Sequence, residues 1–145
     1  MSDQKNQRQH AEQAVLGGLL QRPELFDSIS LTITAEDFFS DAHRHIFAAI
    51  EQMLTASQPV DALTVSDALE RKGLKQATGG IGYLAELAAN TVTANVKRYA
   101  EIVRESSIER RLFAAAQDVA TIIDGSGDIR AKVESAQAAM MAVLE

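Results

Sequence analysis

The chain contains no cysteine and no tryptophan, has only two prolines, and lacks a long apolar run. Without cysteine it can form neither a disulfide nor a thiolate metal site, which is typical of a reducing cytoplasm. The absence of about 18 consecutive apolar residues argues against a membrane span, and the polar start does not resemble a secretory signal. We therefore expect a cytoplasmic protein without membrane contact, in which residues 1–9 are a disordered leader.

The sequence also lacks the patterns of catalytic chemistry. There is no G-x-x-x-x-G-K-[ST] loop, and Gly79-Gly80-Ile81-Gly82, its nearest mimic, has no following lysine and reads as a helix start. His43 and His45 would point about 200° apart on a helix, so they cannot share one metal ion. We expect no enzymatic activity, metal or cofactor in this chain, with one histidine at the core edge and the other in solvent.

Charge gives a second exclusion. The 145 residues have a formal net charge of −6, so the chain as a whole is not a basic protein that binds nucleic acid through its charge. We therefore expect little direct DNA binding. The basic residues within 97–111 alternate with glutamates, which favours a solvated and partly paired face. The alternative is a contact surface for a partner or a DNA backbone.

The apolar pattern predicts an all-α fold. Short amphipathic segments, separated by proline and glycine, indicate a globular head of short helices over residues 10–92. Helix starts are predicted at Thr34–Asp37 and Thr64–Asp67, where a capping residue is followed by a carboxylate. Gly17 and Gly18 inside the first helix each cost about 1 kcal/mol of helix propensity, which favours close approach of another backbone.

Residues 94–124 contain neither glycine nor proline and predict one helix about 45 Å long, longer than a small domain is wide. Its apolar residues change face halfway. The first half presents Val96, Tyr99, Ala100 and Val103; the second presents Ile108, Leu112, Ala115, Ala116, Val119, Ile122 and Ile123; Ile102, Phe113 and Ala120 lie on neither stripe. Such a helix has a different packing partner for each half. The alternative is one long helix in a single bundle.

A second helix follows the Gly125-Ser126-Gly127 turn, with Asp128 as its cap. Its apolar residues form one stripe: Ile129, Val133, Ala136, Met140 and Val143 or Leu144. A short turn makes the two helices antiparallel, so residues 108–145 are predicted to be a helical hairpin. Because a two-helix hairpin buries little surface by itself, we expect an oligomer in which another copy covers its outer apolar face.

Six segments, in order and at this spacing, resemble the N-terminal domain of the bacterial replicative DNA helicase of the DnaB type. None is specific alone, but together they cover about residues 10–145. They are AEQAVLGGLL (11–20), DFF (37–39), HRHIFAAI (43–50), PVDALTVSDALERKG (59–73), GGIGYLAEL (79–87) and NVKRYAEIVRE (95–105).

The resemblance implies a non-catalytic domain with an all-helical head and an oligomerisation region, here residues 93–145, ending in an antiparallel hairpin. In that family hairpins pair into dimers that close into a three-fold ring of six, and the ring binds the C-terminal domain of primase during DNA replication. The helicase loader is a further partner, while ATP and Mg²⁺ belong to a motor domain that this chain lacks. Mapping the family's hairpin places the subunit contact on Leu112, Phe113, Ala116, Val119, Ile123, Ile129, Val133 and Met140.

Two other hypotheses remain open at this point. Because the sequence stops where the family's linker and motor begin, the chain could be a free-standing regulator of a helicase ring, such as a phage or plasmid mimic of the domain. A helical domain that binds nucleic acid is the other hypothesis, and a steep salt dependence of binding would reveal it.

Overall fold

The computed structural model describes residues 2–145, and within them all regular secondary structure is helical. This confirms the all-α prediction. No helix in this range combines the length and apolarity that a membrane crossing needs. The eight α-helices are α1 (Ser2–Gln21), α2 (Phe26–Ile29), α3 (Asp41–Thr55), α4 (Ala62–Arg71), α5 (Lys75–Thr78), α6 (Gly80–Ala89), α7 (Val96–Asp124) and α8 (Ile129–Met141); the 3₁₀ turns are Pro23–Leu25, Ala35–Asp37, Thr93–Asn95 and Ala142–Leu144.

The first helix begins at Ser2, so the prediction of a disordered leader is wrong for residues 2–9. Met1 lies outside the described residues. Residues 3–9 are mostly exposed, but they contain no glycine or proline and are rich in lysine, arginine and glutamine. These residues have good helix propensity, and the buried half of α1 that follows supplies an already formed helix to extend.

The start of α4 also differs from its prediction. Asp61, not Thr64, is the N-cap: its carboxylate accepts the Thr64 N–H at 2.8 Å, and the Thr64 hydroxyl accepts the Asp61 N–H at 2.9 Å. The sequence pattern was shifted by three residues because threonine can occupy either end of this reciprocal arrangement. At Thr34 the predicted start is confirmed, with its N–H donated to Asp37 at 2.8 Å, although the turn it opens is 3₁₀.

The chain divides into two compact units, Met1–Arg104 and Glu105–Glu145. The boundary therefore lies inside α7. The sequence predicted it between residues 92 and 93, before this helix begins. The reason is visible in the first stripe of α7, since Val96, Ala100 and Val103 are buried in the core of the first unit. The predicted change of face in this helix falls close to the boundary between the units.

The core of the first unit is built around α1 and α3. Leu16 and Leu19 of α1 are fully buried, as are Phe47 and Ile50 of α3. The ring of Phe47 packs against that of Phe38 at a centroid distance of 5.1 Å. Burying each such side chain contributes about 1.5–3 kcal/mol, so this cluster fixes how the short helices of the head pack together.

The close approach of another backbone, predicted for the glycine pair of α1, is confirmed at Gly17, whereas Gly18 meets a side chain. A Cβ at Gly17 would overlap the Thr91 side chain and the Leu87 carbonyl oxygen at the end of α6, and a Cβ at Gly18 would overlap Val96. Both glycines therefore permit contacts that any other residue would obstruct. Gln21 reinforces the same contact by donating to the carbonyl oxygens of Ala88 and Thr91.

Replacing Gly17 with alanine should destabilise the chain by about 1–3 kcal/mol, because the added methyl group overfills a closed contact. Gly82 is the matched control: it lies in α6, where an added Cβ would meet no neighbouring atom within 4 Å, so Gly82→Ala should stabilise by about 0.5–1 kcal/mol. Urea unfolding of the two variants measures both changes, and an equal effect at the two positions would contradict the close-approach interpretation.

Candidate functional site: the outer face of the hairpin

The second unit is an antiparallel helical hairpin, as predicted. Asp128 caps α8 by accepting the Ala131 N–H at 2.8 Å. Near the turn, the Lys132 ammonium donates to the carbonyl oxygen of Ile123 at 2.7 Å, where the last carbonyls of α7 lack helical partners. At the other end, Arg111 donates to the carbonyl oxygen of Glu145 at 3.2 Å. The Lys132 bond joins the end of α7 to the start of α8, and the Arg111 bond joins the middle of α7 to the residues that follow α8.

The seam between the two helices is narrow. Its members are the least exposed residues of the hairpin at spacings of three and four, the interval at which side chains share one helix face. They are Ala115 with the half-buried Ile108, Arg111, Val119 and Ile122 on α7, and Val143 with the half-buried Lys132, Ala136 and Ala139 after the turn. Three of these nine are alanines and two are basic, so the seam buries little apolar surface.

A second apolar stripe on each helix is left exposed. On α7 it consists of Leu112, Phe113, Ala116, Ala120 and Ile123, and on α8 of Ile129, Val133 and Met140, with Leu144 just beyond the helix. At 3.6 residues per turn each stripe lies roughly 90° from the seam, in the same rotational sense along its own helix. Because the two helices are antiparallel, the same rotation away from the seam on each helix places both stripes on one side of the hairpin. We call this side the outer face.

Seven of the eight residues predicted for subunit contact lie on this outer face. Phe113 is 67% exposed, Ile129 71% and Ile123 60%, which are high values for large apolar side chains. Val119 differs, because it is half-buried in the seam. The sequence pattern treated the second half of α7 as one broad stripe, whereas the structure divides it between seam and outer face.

A buried polar network in the first unit was not predicted from the sequence. The Glu12 carboxylate on α1 accepts the Phe39 N–H at 2.7 Å and lies 2.7 Å from Nδ1 of His43. Nε2 of His43 is 2.6 Å from the Tyr83 hydroxyl, which also accepts from the Gln13 amide at 3.3 Å. The network is fully satisfied when His43 is protonated on Nδ1 and the Tyr83 hydroxyl donates to Nε2.

The network accounts for the different surroundings of His43 and His45. His43 is buried with both ring nitrogens bonded, and His45 is exposed, which agrees with the predicted separation of the pair. No cluster of histidine and carboxylate side chains suited to a metal ion occurs among residues 2–145. The network joins α1, the start of α3 and α6, so its role is structural. We call this network the clamp.

The basic residues of α7 are partly paired. Arg98 bonds to Glu101 at 2.9 Å, within one exposed helix surface. Arg104 bonds at 2.9 Å to Asp37, a carboxylate that is 1% exposed and also accepts the Thr34 N–H. Sequence reasoning missed both this ion pair and the clamp, since their bonded partners are 27 to 70 residues apart in the sequence. A signal was nevertheless present, because Glu12, Asp37, His43, Tyr83 and Arg104 all lie in the segments that carry the family resemblance.

The fold and the outer face together define a class: a helical head followed by a long helix and an antiparallel hairpin with an uncovered apolar side. Residues 4–105 match the family described as the DnaB-like helicase N terminal domain. The chain belongs to this family.

Solved structures agree in fold. The N-terminal domain of DnaB helicase from Mycobacterium tuberculosis superposes with a TM-score of 0.86 at 33% identity, covering 91% of this chain and 94% of that one. A DnaB-like replicative helicase, solved in a study of its interactions with primase, gives a TM-score of 0.75 at 29% identity, covering 93% of this chain and 31% of that one.

Curated relatives are longer than this chain. It is 44% identical over 111 residues to the replicative DNA helicase DnaB of Pasteurella multocida, an alignment that covers 76% of this chain and 24% of the relative. It is 36% identical over 138 residues to the corresponding protein of Haemophilus influenzae, covering 93% and 30%. The chain thus spans about a quarter to a third of the length of these relatives.

The clamp should make stability depend on pH in the alkaline range. Burial, and to a smaller extent the carboxylates of Glu86 and Glu12, raise the pKa of Tyr83 above its ordinary value of 10.0, against the opposing hydrogen bond from Gln13. Because the folded pKa exceeds the unfolded one, the stabilisation is complete below about pH 10 and is lost as pH rises through the folded pKa.

Tyr83→Phe tests this expectation by removing the titrating hydroxyl. At about pH 8 the variant should be less stable by about 1 kcal/mol, because His43 Nε2 loses its donor. Between about pH 8 and pH 11 the variant should then lose less stability than the parent. Urea unfolding at both pH values measures the difference, and an equal alkaline loss in the two proteins would contradict it.

Proposed function

We propose that this chain is an association module of a replicative DNA helicase, and that copies of it pair through the outer face of the hairpin. The observation that carries the proposal is that α7 and α8 each leave an apolar stripe exposed, and that the two stripes lie side by side on the outer face. Large apolar side chains scattered singly over a surface need no explanation, but a contiguous patch along two helices marks an interaction site.

The composition of the outer face supports a second copy of the hairpin as its partner. From Leu112 to Ile123 the stripe on α7 contains no charged side chain, while Arg110 and Asp118 lie on other sides of that helix. Depletion of charge together with an aromatic residue, here the exposed Phe113, is typical of the core of a protein–protein interface. A second hairpin offers a matching surface, because a two-fold interface uses one patch twice.

We further propose that such dimers join in threes to form a ring of six, and that the assembled domains dock the C-terminal domain of primase. Family membership and the likeness to a helicase solved in a study of its interactions with primase support this part. The chain itself would act in positioning: it would hold subunits together and bring primer synthesis close to the unwinding motor of the longer protein.

Substituting an outer-face residue with glutamate should weaken self-association. We predict that Phe113→Glu and Val133→Glu each raise the dimer dissociation constant by at least about 30-fold, since loss of a central apolar contact costs about 2 kcal/mol or more and a carboxylate would be buried without a partner. Sedimentation equilibrium over a range of protein concentrations measures this constant.

Two neighbouring alanines give matched controls. Ala114 and Ala138 are exposed and lie on the same helices, but they point away from the outer face. Ala114→Glu and Ala138→Glu add the same charge and should leave the dimer constant within about twofold. If all four variants behave alike, or if the parent is a monomer at high micromolar concentration, the assignment of the outer face is wrong.

Primase docking has its own test. Calorimetric titration of the chain with the C-terminal domain of the cognate primase should show saturable binding. If docking needs the assembled ring, Phe113→Glu should weaken the binding of primase as well, and Ala114→Glu should not. Absence of heat and of a complex in sedimentation at high micromolar concentrations of both proteins would refute this part of the proposal.

A further inference from the structure

An open groove of about 770 Å³ lies between α3 and α4 in the first unit. Its floor consists of small or flexible apolar side chains: Ala49 and Met53 are buried, and Ala68 is half-buried. Leu63 lines the α4 side and is 69% exposed. The groove uses no residue of the hairpin or of the buried clamp, so neither accounts for it.

The rim of the groove is basic. Three charged residues line it, Asp67, Arg71 and Lys72, and the Asp67 carboxylate is already bonded to the Arg71 guanidinium at 3.1 Å. The Lys72 ammonium donates to the neutral amide of Gln52 across the groove. The lining therefore has a net positive charge, although the chain as a whole has a formal charge of −6.

We propose that this groove binds an amphipathic helix of a partner protein, with apolar side chains against Met53 and Leu63 and carboxylates facing Arg71 and Lys72. Grooves between helices accept apolar side chains at i, i+3, i+4 and i+7 of a bound helix. A methionine on the floor adapts to different apolar shapes, and the exposed leucine extends the contact beyond the floor. The basic rim selects an acidic helix over a basic one. This surface is separate from the outer face and goes beyond the proposed function.

Two synthetic peptides of about 14 residues test the proposal directly. Both have leucines at i, i+3, i+4 and i+7; one has glutamates at the flanking positions and the other has lysines. The readout is the NMR shift of the methyl groups of Ala49, Met53 and Ala68 in the whole chain. The glutamate peptide should shift these methyl groups in a saturable way, with a dissociation constant at least about fivefold below that of the lysine peptide.

Charge reversal on the rim should invert this preference. The double variant Arg71→Glu with Lys72→Glu should bind the lysine peptide more tightly than the glutamate peptide. The matched control, Arg22→Glu with Lys97→Glu, changes the net charge equally at exposed residues outside the groove and should keep the parent's preference. Leu63→Gln should weaken both peptides, and because Leu63 is exposed the fold should persist.

Three results would overturn the proposal. The first is the absence of methyl shifts in the groove at about 1 mM of either peptide. The second is equal binding of the two peptides by the parent, which would mean that the basic rim selects nothing. The third is a set of groove shifts that appear when the chain alone is concentrated and that the glutamate peptide does not alter, because the occupant would then be a second copy.

Discussion

Two antiparallel helices share only one seam, and this limit governs the second half of the molecule. The seam here is built largely from alanines and half-buried residues around Ala115 and Val143. The apolar side chains that remain, Phe113 and Ile129 among them, therefore lie in solvent. A further layer packed against the hairpin would remove this surface from water, and this is the physical basis of the proposed pairing.

The head solves the opposite problem, because it buries its apolar residues and must then satisfy the polar ones enclosed with them. The Glu12 carboxylate accepts two backbone N–H groups and bonds to one ring nitrogen of His43. The other ring nitrogen of His43 bonds to the Tyr83 hydroxyl. A network of this kind holds α1, α3 and α6 in one arrangement, since removal of any member leaves a buried group without its partner. The result is a rigid support for whatever surfaces the head presents.

The periodic features of the fold were predictable, and the long-range polar ones were not. Periodicity of apolar residues located the hairpin because that information is local, but it left Phe113 and Ala120, which lie on the outer face, on neither stripe. The eight predicted contact residues came from mapping the family's hairpin onto this sequence, and seven of them lie on the outer face. The eighth, Val119, lies in the seam, since a helix face 100° wide does not show where a seam ends and an exposed stripe begins. The Asp37–Arg104 pair and the Glu12 clamp depend on tertiary contacts that no spacing rule encodes. The cap of α4 was misplaced at Thr64 because both partners of a capping box are capable caps.

Isotope-filtered NMR on a mixture of labelled and unlabelled chains shows whether one copy of the hairpin covers another. Pairing through the outer face requires intermolecular contacts from the methyl groups of Leu112, Ile123 and Val133, and none from Ile46 or Ile50 of the head core. Intermolecular contacts confined to the head, or none at high micromolar concentration, would mean that the hairpins do not pair.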